Sequence, residues 1–302
     1  MEKTRISICI NTYKRPKLLS KLLFSLNDQI LNDDIELEII VVDNSPEKEG
    51  IEQVINFEPH AKHFIKYAEQ PIKNISITRN KAVSLATGEY ICFIDDDEYA
   101  DELWIQKLYE CLIKFKADGI FGKVIPYFAQ KTPNYIIEGG YFNQIDQITG
   151  ELSRNTYTNN CLLKAKLLTQ FDDPFLISLG KTGGEDVNFF SRIKKQGAQL
   201  IHCNEALVYD YVPLERANMK WLTKRFYRNG ITSTDNKINN AENQNIARIY
   251  YGFRYSLFFI LSLCLTLAFI FKKSKRNFWY LKSAGNLGHI ASLLGLKFEE
   301  YK

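Results

Sequence analysis

The run Tyr90-Ile91-Cys92-Phe93-Ile94-Asp95-Asp96-Asp97-Glu98 passes from an apolar segment straight into four carboxylates. A short apolar run without alternation predicts a strand covered on both faces, as in a parallel sheet. Four acids at its carboxyl end crowd like charges together, which is unfavourable unless a cation or polar ligand shares the place. Open α/β sheets bind their ligands at that end of their strands. The stretch therefore predicts a divalent metal holding a phosphorylated ligand.

Upstream, the same architecture repeats. Ile6, Ile8 and Ile10 alternate as in a strand, and Leu18, Leu19, Leu22, Leu23 and Leu26 mark one face of a helix. Leu37 to Val42 is a second buried strand that ends at Asp43. A helix around Ile51, Val54 and Ile55, a short strand at Phe64–Tyr67 and a helix over Ser76–Ala86 follow, with Gly88 as the break. This β-α-β-α rhythm predicts an α/β fold with a mostly parallel sheet flanked by helices.

Residues 126–182 are less regular and carry Pro126, Pro133 and Pro174, so an antiparallel edge and loops are expected there. A helix is expected from Val187 to Gly197, with Lys194 and Lys195 favourably placed in its last turn, then a strand over Ala198–Cys203. Tyr255 to Phe271 is an uncharged run of 17 residues followed by Lys272, Lys273, Lys275 and Arg276. At about 25 Å as a helix it is borderline for crossing a bilayer. A buried core helix is the alternative. Apolar residues at helical spacing over 276–296 predict an amphipathic helix that lies in the interface or packs on the first. The expected division is a catalytic domain over 1–230 and a C-terminal helical region over 231–302, membrane-associated through 255–271.

The 302 residues are 45% hydrophobic and 25% charged, which suits a globular chain with an ample core. A net charge of +4 hides an asymmetry, with acids at 95–102 and bases at 214–230 and 272–276. Such bases suit phosphate or an anionic lipid surface. No zinc spacing, RNP-like motif or basic heptad helix points to nucleic acid. The six cysteines are scattered without a C-x-x-C pair, which suits buried thiols in a reducing compartment rather than disulfides or zinc. The N-terminal residues lead into a strand with no signal-like apolar region, so the main domain is expected in the cytoplasm.

Five blocks, in this order and spacing, resemble family 2 glycosyltransferases of the GT-A fold, and among them bacterial exopolysaccharide enzymes of the succinoglycan glucosyltransferase type. They are Ile10-Asn11-Thr12-Tyr13-Lys14-Arg15-Pro16, Val41-Val42-Asp43-Asn44-Ser45, Thr78-Arg79-Asn80-Lys81-Ala82, Phe93-Ile94-Asp95-Asp96-Asp97 and Gly183-Gly184-Glu185-Asp186. The tail from 214, with Arg216, Trp221, Arg225, Arg228 and Gly230, is similar to the same subgroup.

The resemblance implies a nucleotide-sugar donor, UDP-linked by analogy, and a saccharide or polyprenyl-linked saccharide acceptor at the cytoplasmic face of the bacterial inner membrane. It implies Mg²⁺ or Mn²⁺ held mainly by Asp97, with Asp95 supporting and Asp96 on the ribose; oxygen ligands suit such hard ions. Tyr13, beside Thr12, stacks on uracil and Arg15 meets ribose or phosphate; a loop aromatic and a solvated charge are the plainer readings. Asp43 accepts the uracil imide N–H or serves its own turn. Arg79 reaches the nucleotide or its phosphates, a task suited to a planar fork, or lies on the helix surface. Asp186 is implied as the general base, with Glu185 supporting it; capping the helix is the alternative. Glu98 and Asp101 fit a solvated helix start.

Many GT-A enzymes carry a metal-binding histidine after the base helix. Here Val208-Tyr209-Asp210-Tyr211 stands at that place, so Asp210 is the candidate substitute and His202 is expected to sit satisfied in a strand. Asn159, Asn160 and Arg154 fall in a region that borders acceptors in the family, or form turns. Arg216, Arg225 and Arg228 line the diphosphate or face lipid, and Trp221 anchors a core or interface. A sugar nucleotidyltransferase would want a glycine-rich loop near strand one, which Asn11 to Pro16 lacks. A dehydrogenase would want G-x-G-x-x-G. A catalytically inactive sugar-nucleotide binder would not need both Asp97 and Asp186.

Overall fold

The computed structural model describes residues 3–296. Strand β1 (Thr4–Thr12) leads to helix α1 (Pro16–Asn27), where Pro16 sits in the first turn with its φ already suited to a helix. β2 (Ile35–Asp43), α2 (Ile51–Phe57), β3 (Phe64–Glu69), α3 (Ile75–Leu85) and β4 (Tyr90–Asp95) continue the winding. Asn74 starts α3 by accepting the Ser76 and Ile77 N–H groups. β1 pairs in parallel with β2 and β4, and β2 with β3. The second half comprises β5 (Glu98–Ala100), α4 (Trp104–Phe115), β6 (Gly119–Phe128), α5 (Asn134–Ile137), β7 (Cys161–Lys164), α6 (Lys166–Thr169), α7 (Glu185–Lys195) and β8 (Leu200–Val212). The eight strands form one sheet in the order β3-β2-β1-β4-β7-β6-β8-β5.

The period-2 alternation of the strands divides the core. Ile6, Ile8 and Ile10 of β1 join Leu19, Leu22 and Trp104 on one face, whereas Cys9, Ile40 and Phe93 join Ala82, Phe189 and Phe190 on the other. Each face is capped by helices, as a mostly parallel sheet requires.

Several expectations need correction. The antiparallel strand of the irregular stretch is not an edge: β7 lies inside the sheet, antiparallel to both β4 and β6. α7 starts two residues before Val187, because Gly183 and Gly184 (φ 82° and 90°) turn the chain in a region side chains rarely enter. The strand expected to end at Cys203 runs on to Val212, past a register shift opposite Gly122/Lys123.

Three long helices end the described chain: α8 (Met219–Asn239), α9 (Gln244–Ala268) and α10 (Lys273–Leu293). Residue 230 falls inside α8. The apolar run from Tyr255 belongs to α9, which is long and apolar enough to cross a membrane, and the next helix begins at Lys273 rather than 276. Leu281 of α10 packs with Leu222 of α8, Val212 of β8 and Ile136 of α5 in a third core cluster. Residues 297–302, the end of the expected C-terminal region, lie outside the described residues.

Candidate active site

The parallel register sets the ends of three strands level: Thr12 pairs with Asp43, and Asn11 with Asp95. The acids of β4 therefore open into a cleft floored by the β1 and β2 ends. Asp96 is buried and held by Thr12 Oγ1 (2.9 Å), the Tyr13 N–H (3.3 Å) and Arg15 (2.9 Å). Arg15 also pairs with Asp97 at 2.9 Å, and Arg216 meets the same Asp97 oxygen at 3.0 Å. Glu98 is buried on β5, where it accepts the Asp95 N–H (2.8 Å) and the Asn159 amide (3.1 Å) opposite Asp210. It is part of the cluster and not of a solvated helix start; Asp101 alone holds the turn into α4.

This crowding shows in proton affinity. Burial, with Asp97 nearby, pushes Asp96 and Asp210 up to about 7 despite the arginines beside them. Burial and the Asp95 and Asp210 charges push Glu98 well above the carboxylate range.

Across the cleft, Arg79 of α3 is bonded to Glu185 and lies 3.8 Å from Asp95. It thereby ties the first turn of α7 to the end of β4. Burial and the neighbouring Glu185 raise Asp186 to about 7, and Asp95 contributes to that rise. Glu185 Oε2 and Asn188 Oδ1, on the same helix face, are buried without a hydrogen-bond partner. A ligand with donors can satisfy them.

On the nucleotide side Asp43 takes up the turn role, one of the two expected for it. Its Oδ2 accepts the Gly50 N–H (2.8 Å) and the Tyr67 hydroxyl (3.0 Å), and Oδ1 accepts the Ser45 N–H (2.8 Å). Asp43 thus holds its turn, and Oδ1 keeps the capacity for one more donor. Tyr13 is exposed at the rim, its ring flanked by the ammonium groups of Lys14 and Lys73.

The family whose sequence model is described as glycosyl transferase family 2 matches residues 7–171. The chain belongs to glycosyl transferase family 2. It is 31% identical to the succinoglycan biosynthesis protein ExoM of Rhizobium meliloti (strain 1021), over 99% of this chain and 96% of that protein. Its fold resembles the mannosyltransferase PcManGT of Pyrobaculum calidifontis, solved with GDP-Man and Mn²⁺: TM-score 0.66, 15% identity, 98% of this chain and 88% of that one. It also resembles S. aureus TarS 1–349 solved with UDP: TM-score 0.56, 15% identity, 93% of this chain and 90% of that one. The GT-A architecture expected from the sequence is the one these folds share.

In this family 2 glycosyltransferase, Thr12, Arg15, Asp95, Asp96 and Asp97 come together at one end of the cleft, with Arg79, Glu185 and Asp186 facing them. Asn160 does not join them: buried between strands, it accepts the Trp104 indole N–H (2.8 Å) and donates to the Lys123 and Ala206 carbonyls. His202 lies buried on β8 with Nδ1 unpartnered, so the expectation of a satisfied histidine fails in part. Arg216 belongs to the acids. Arg225 lies over the rings of Phe142 (5.4 Å) and Trp221 (5.2 Å), and feels the charges of Asp210, Arg216 and Tyr157. Sequence reading missed Tyr157, which burial and Asp186 push above its ordinary range. It lies in the stretch without periodicity, and nothing in the sequence marks it.

The acids suit a hard cation in chemistry, since all are oxygen donors whose mutual repulsion an ion would relieve. Among the described residues no three metal-binding side chains converge on one point. Arg15 and Arg216 now balance the Asp97 charge, so the protein alone offers one or two ligands.

Proposed function

We propose that this glycosyltransferase moves a hexose from a UDP-sugar to a hydroxyl of a growing surface polysaccharide or polyprenyl-linked oligosaccharide, with inversion at the anomeric carbon. The carrying observation is the Arg79 bridge, which sets Asp186 in the same cleft as Asp95 to Asp97. The relative that makes succinoglycan supports the polysaccharide acceptor. The neighbour solved with UDP supports the nucleotide.

Tyr13 stacks on the base, and Asp43 Oδ1 accepts its imide N–H. Asp96, anchored by Thr12 and Arg15, orients the ribose. Arg15, Arg216 and the ring-supported Arg225 face the diphosphate, where planar guanidinium groups match phosphate oxygens. Asp97, supported by Asp95, would hold Mg²⁺ or Mn²⁺, and such an ion would stabilise charge on the departing diphosphate. The neighbour solved with Mn²⁺ supports this use of metal. Asp186 takes the proton of the acceptor hydroxyl as its oxygen bonds to the anomeric carbon. The bond from that carbon to the diphosphate oxygen breaks, and UDP leaves with the electron pair. Glu185, fixed by Arg79, keeps Asp186 in place and offers Oε2 to an acceptor hydroxyl. The reading includes attachment to the cytoplasmic face of the inner membrane through the C-terminal helices, supported by the exposed apolar surface of α9.

Thermal-shift measurements with nucleotide sugars, with and without Mn²⁺, test the donor site. One UDP-sugar is expected to raise Tm only with metal, and Asp97→Ala to abolish the rise. If no nucleotide sugar shifts melting with metal present, the donor assignment is wrong.

A further inference from the structure

We infer that α9 does not cross the membrane but lies in the plane of one anionic leaflet, with the catalytic domain resting on that leaflet. The inference rests on the membrane attachment proposed above and specifies its geometry.

By length α9 could span: its 25 residues extend about 37 Å, against a hydrocarbon core of about 30 Å. Its surroundings forbid it. α10 runs antiparallel along the whole of α9: Arg248 reaches the Leu293 carbonyl, Tyr255 stacks on His289 at 3.9 Å, and Arg276 reaches the Ile270 carbonyl. α10 in turn lies along α8, so closely that a Cβ on Gly230 or Gly288 would strike the facing backbone. α8 is laid along the catalytic domain from end to end. Leu222 packs on Val212, Thr232 faces Gly184, and the Asn240 carbonyl accepts Lys195 Nζ at 3.2 Å. The far turn of α9 is no freer, because Lys273, just beyond it, sits 4.2 Å over the ring of Tyr135. Driving α9 through a bilayer would carry α8, Lys195 and Gly184 beside the catalytic acids to hydrocarbon depth. Charged and irregular backbone there is prohibitive.

The side-chain distribution identifies the occupant of the free face. α9 is inside-out: its buried positions include Tyr255 and Ser262, whereas its exposed positions are Ile249, Phe253, Leu257, Ile260, Leu263 and Leu267. Polar groups meet inside, as Lys237 Nζ meets the Tyr255 hydroxyl at 2.9 Å. A helix packed in water shows the opposite pattern. Residues 243–296 hold seven Lys or Arg and no Asp or Glu, which complements anionic headgroups and not a neutral protein face. Lys272, Lys273 and Lys275 are exposed at one end, and Arg248 and Arg254 at the other, so both ends can meet the same headgroup layer.

The full chain should float with phosphatidylcholine vesicles containing phosphatidylglycerol and bind pure phosphatidylcholine about tenfold less tightly. Phe253→Asp with Leu257→Asp, both at exposed positions, should weaken flotation by about tenfold with UDP-sugar hydrolysis unchanged. In a Cys264→Ser background, Asn245→Cys and Ser274→Cys should both react with a membrane-impermeant maleimide in sealed inverted inner-membrane vesicles. Reaction at one end only would mean that α9 spans, overturning the in-plane geometry and leaving attachment intact. Failure to float with either vesicle, or a stable dimer that buries Phe253, would overturn the attachment itself while the donor assay stands apart.

Discussion

Asp186 carries the sharpest consequence of burial at a single residue. Only its carboxylate can take a proton, and burial beside Glu185 places that ionisation at about 7. As the proposed base, Asp186 is protonated and idle below that pH and able to accept a proton above it. In steady-state assays kcat/KM should therefore climb as pH rises through about 7 and then level. Asp186→Asn should remove that limb and lower kcat by ~10²–10⁴-fold, with donor binding retained in the thermal-shift assay. An unchanged pH profile in this variant would assign the base elsewhere. The acid run was legible in the sequence because it ends an apolar strand, whereas Asp186 was singled out by the family resemblance and its role as base is a proposal. The partners of these acids were not legible. That Arg216 would cross to Asp97, or that Glu98 would be buried, depends on the pairing of β5 with β8, which no local spacing encodes.

Among the elements, the union of α3 and α7 decides whether the two halves of the cleft face one another. Arg79 and Glu185 are nearly buried, with side-chain exposures of 9% and 6%. Removing one partner of such a pair leaves a desolvated charge and costs about 3–5 kcal/mol, whereas replacing both with apolar groups is often neutral. Arg79→Met should lower urea stability by that amount, and Arg79→Met with Glu185→Met should recover most of it without restoring turnover. Equal loss in both variants would show that the bridge does not set stability. The same scale shows what the sequence conceals. Alternating isoleucines marked β1, unbroken apolar runs marked β2 and β4, and leucine spacing marked α1. The four residues of β7 and three of β5 are too short to carry a period, and the second is written in the acid run itself.

For the molecule as a whole, the question is whether the C-terminal helices are an appendage or part of the catalytic fold. The sequence changes character near residue 230, yet α8 runs through that point without a break, and Leu281 of α10 closes a cluster that contains Val212 of the sheet. A fully buried leucine truncated to alanine costs about 2–5 kcal/mol when its surroundings cannot collapse. Leu281 is 0% exposed, packed with Leu222 of α8, Val212 of the sheet and Ile136 of α5. If the two regions fold together, Leu281→Ala should shift one cooperative urea transition, with tryptophan fluorescence and UDP-sugar binding lost at the same denaturant concentration. An independent appendage would instead give two transitions, and the one reported by UDP-sugar binding would stay where it is in the parent protein. The close approach of Gly230 to Gly285 argues for the first outcome, because backbones that meet so tightly leave no slack for either helix to open alone.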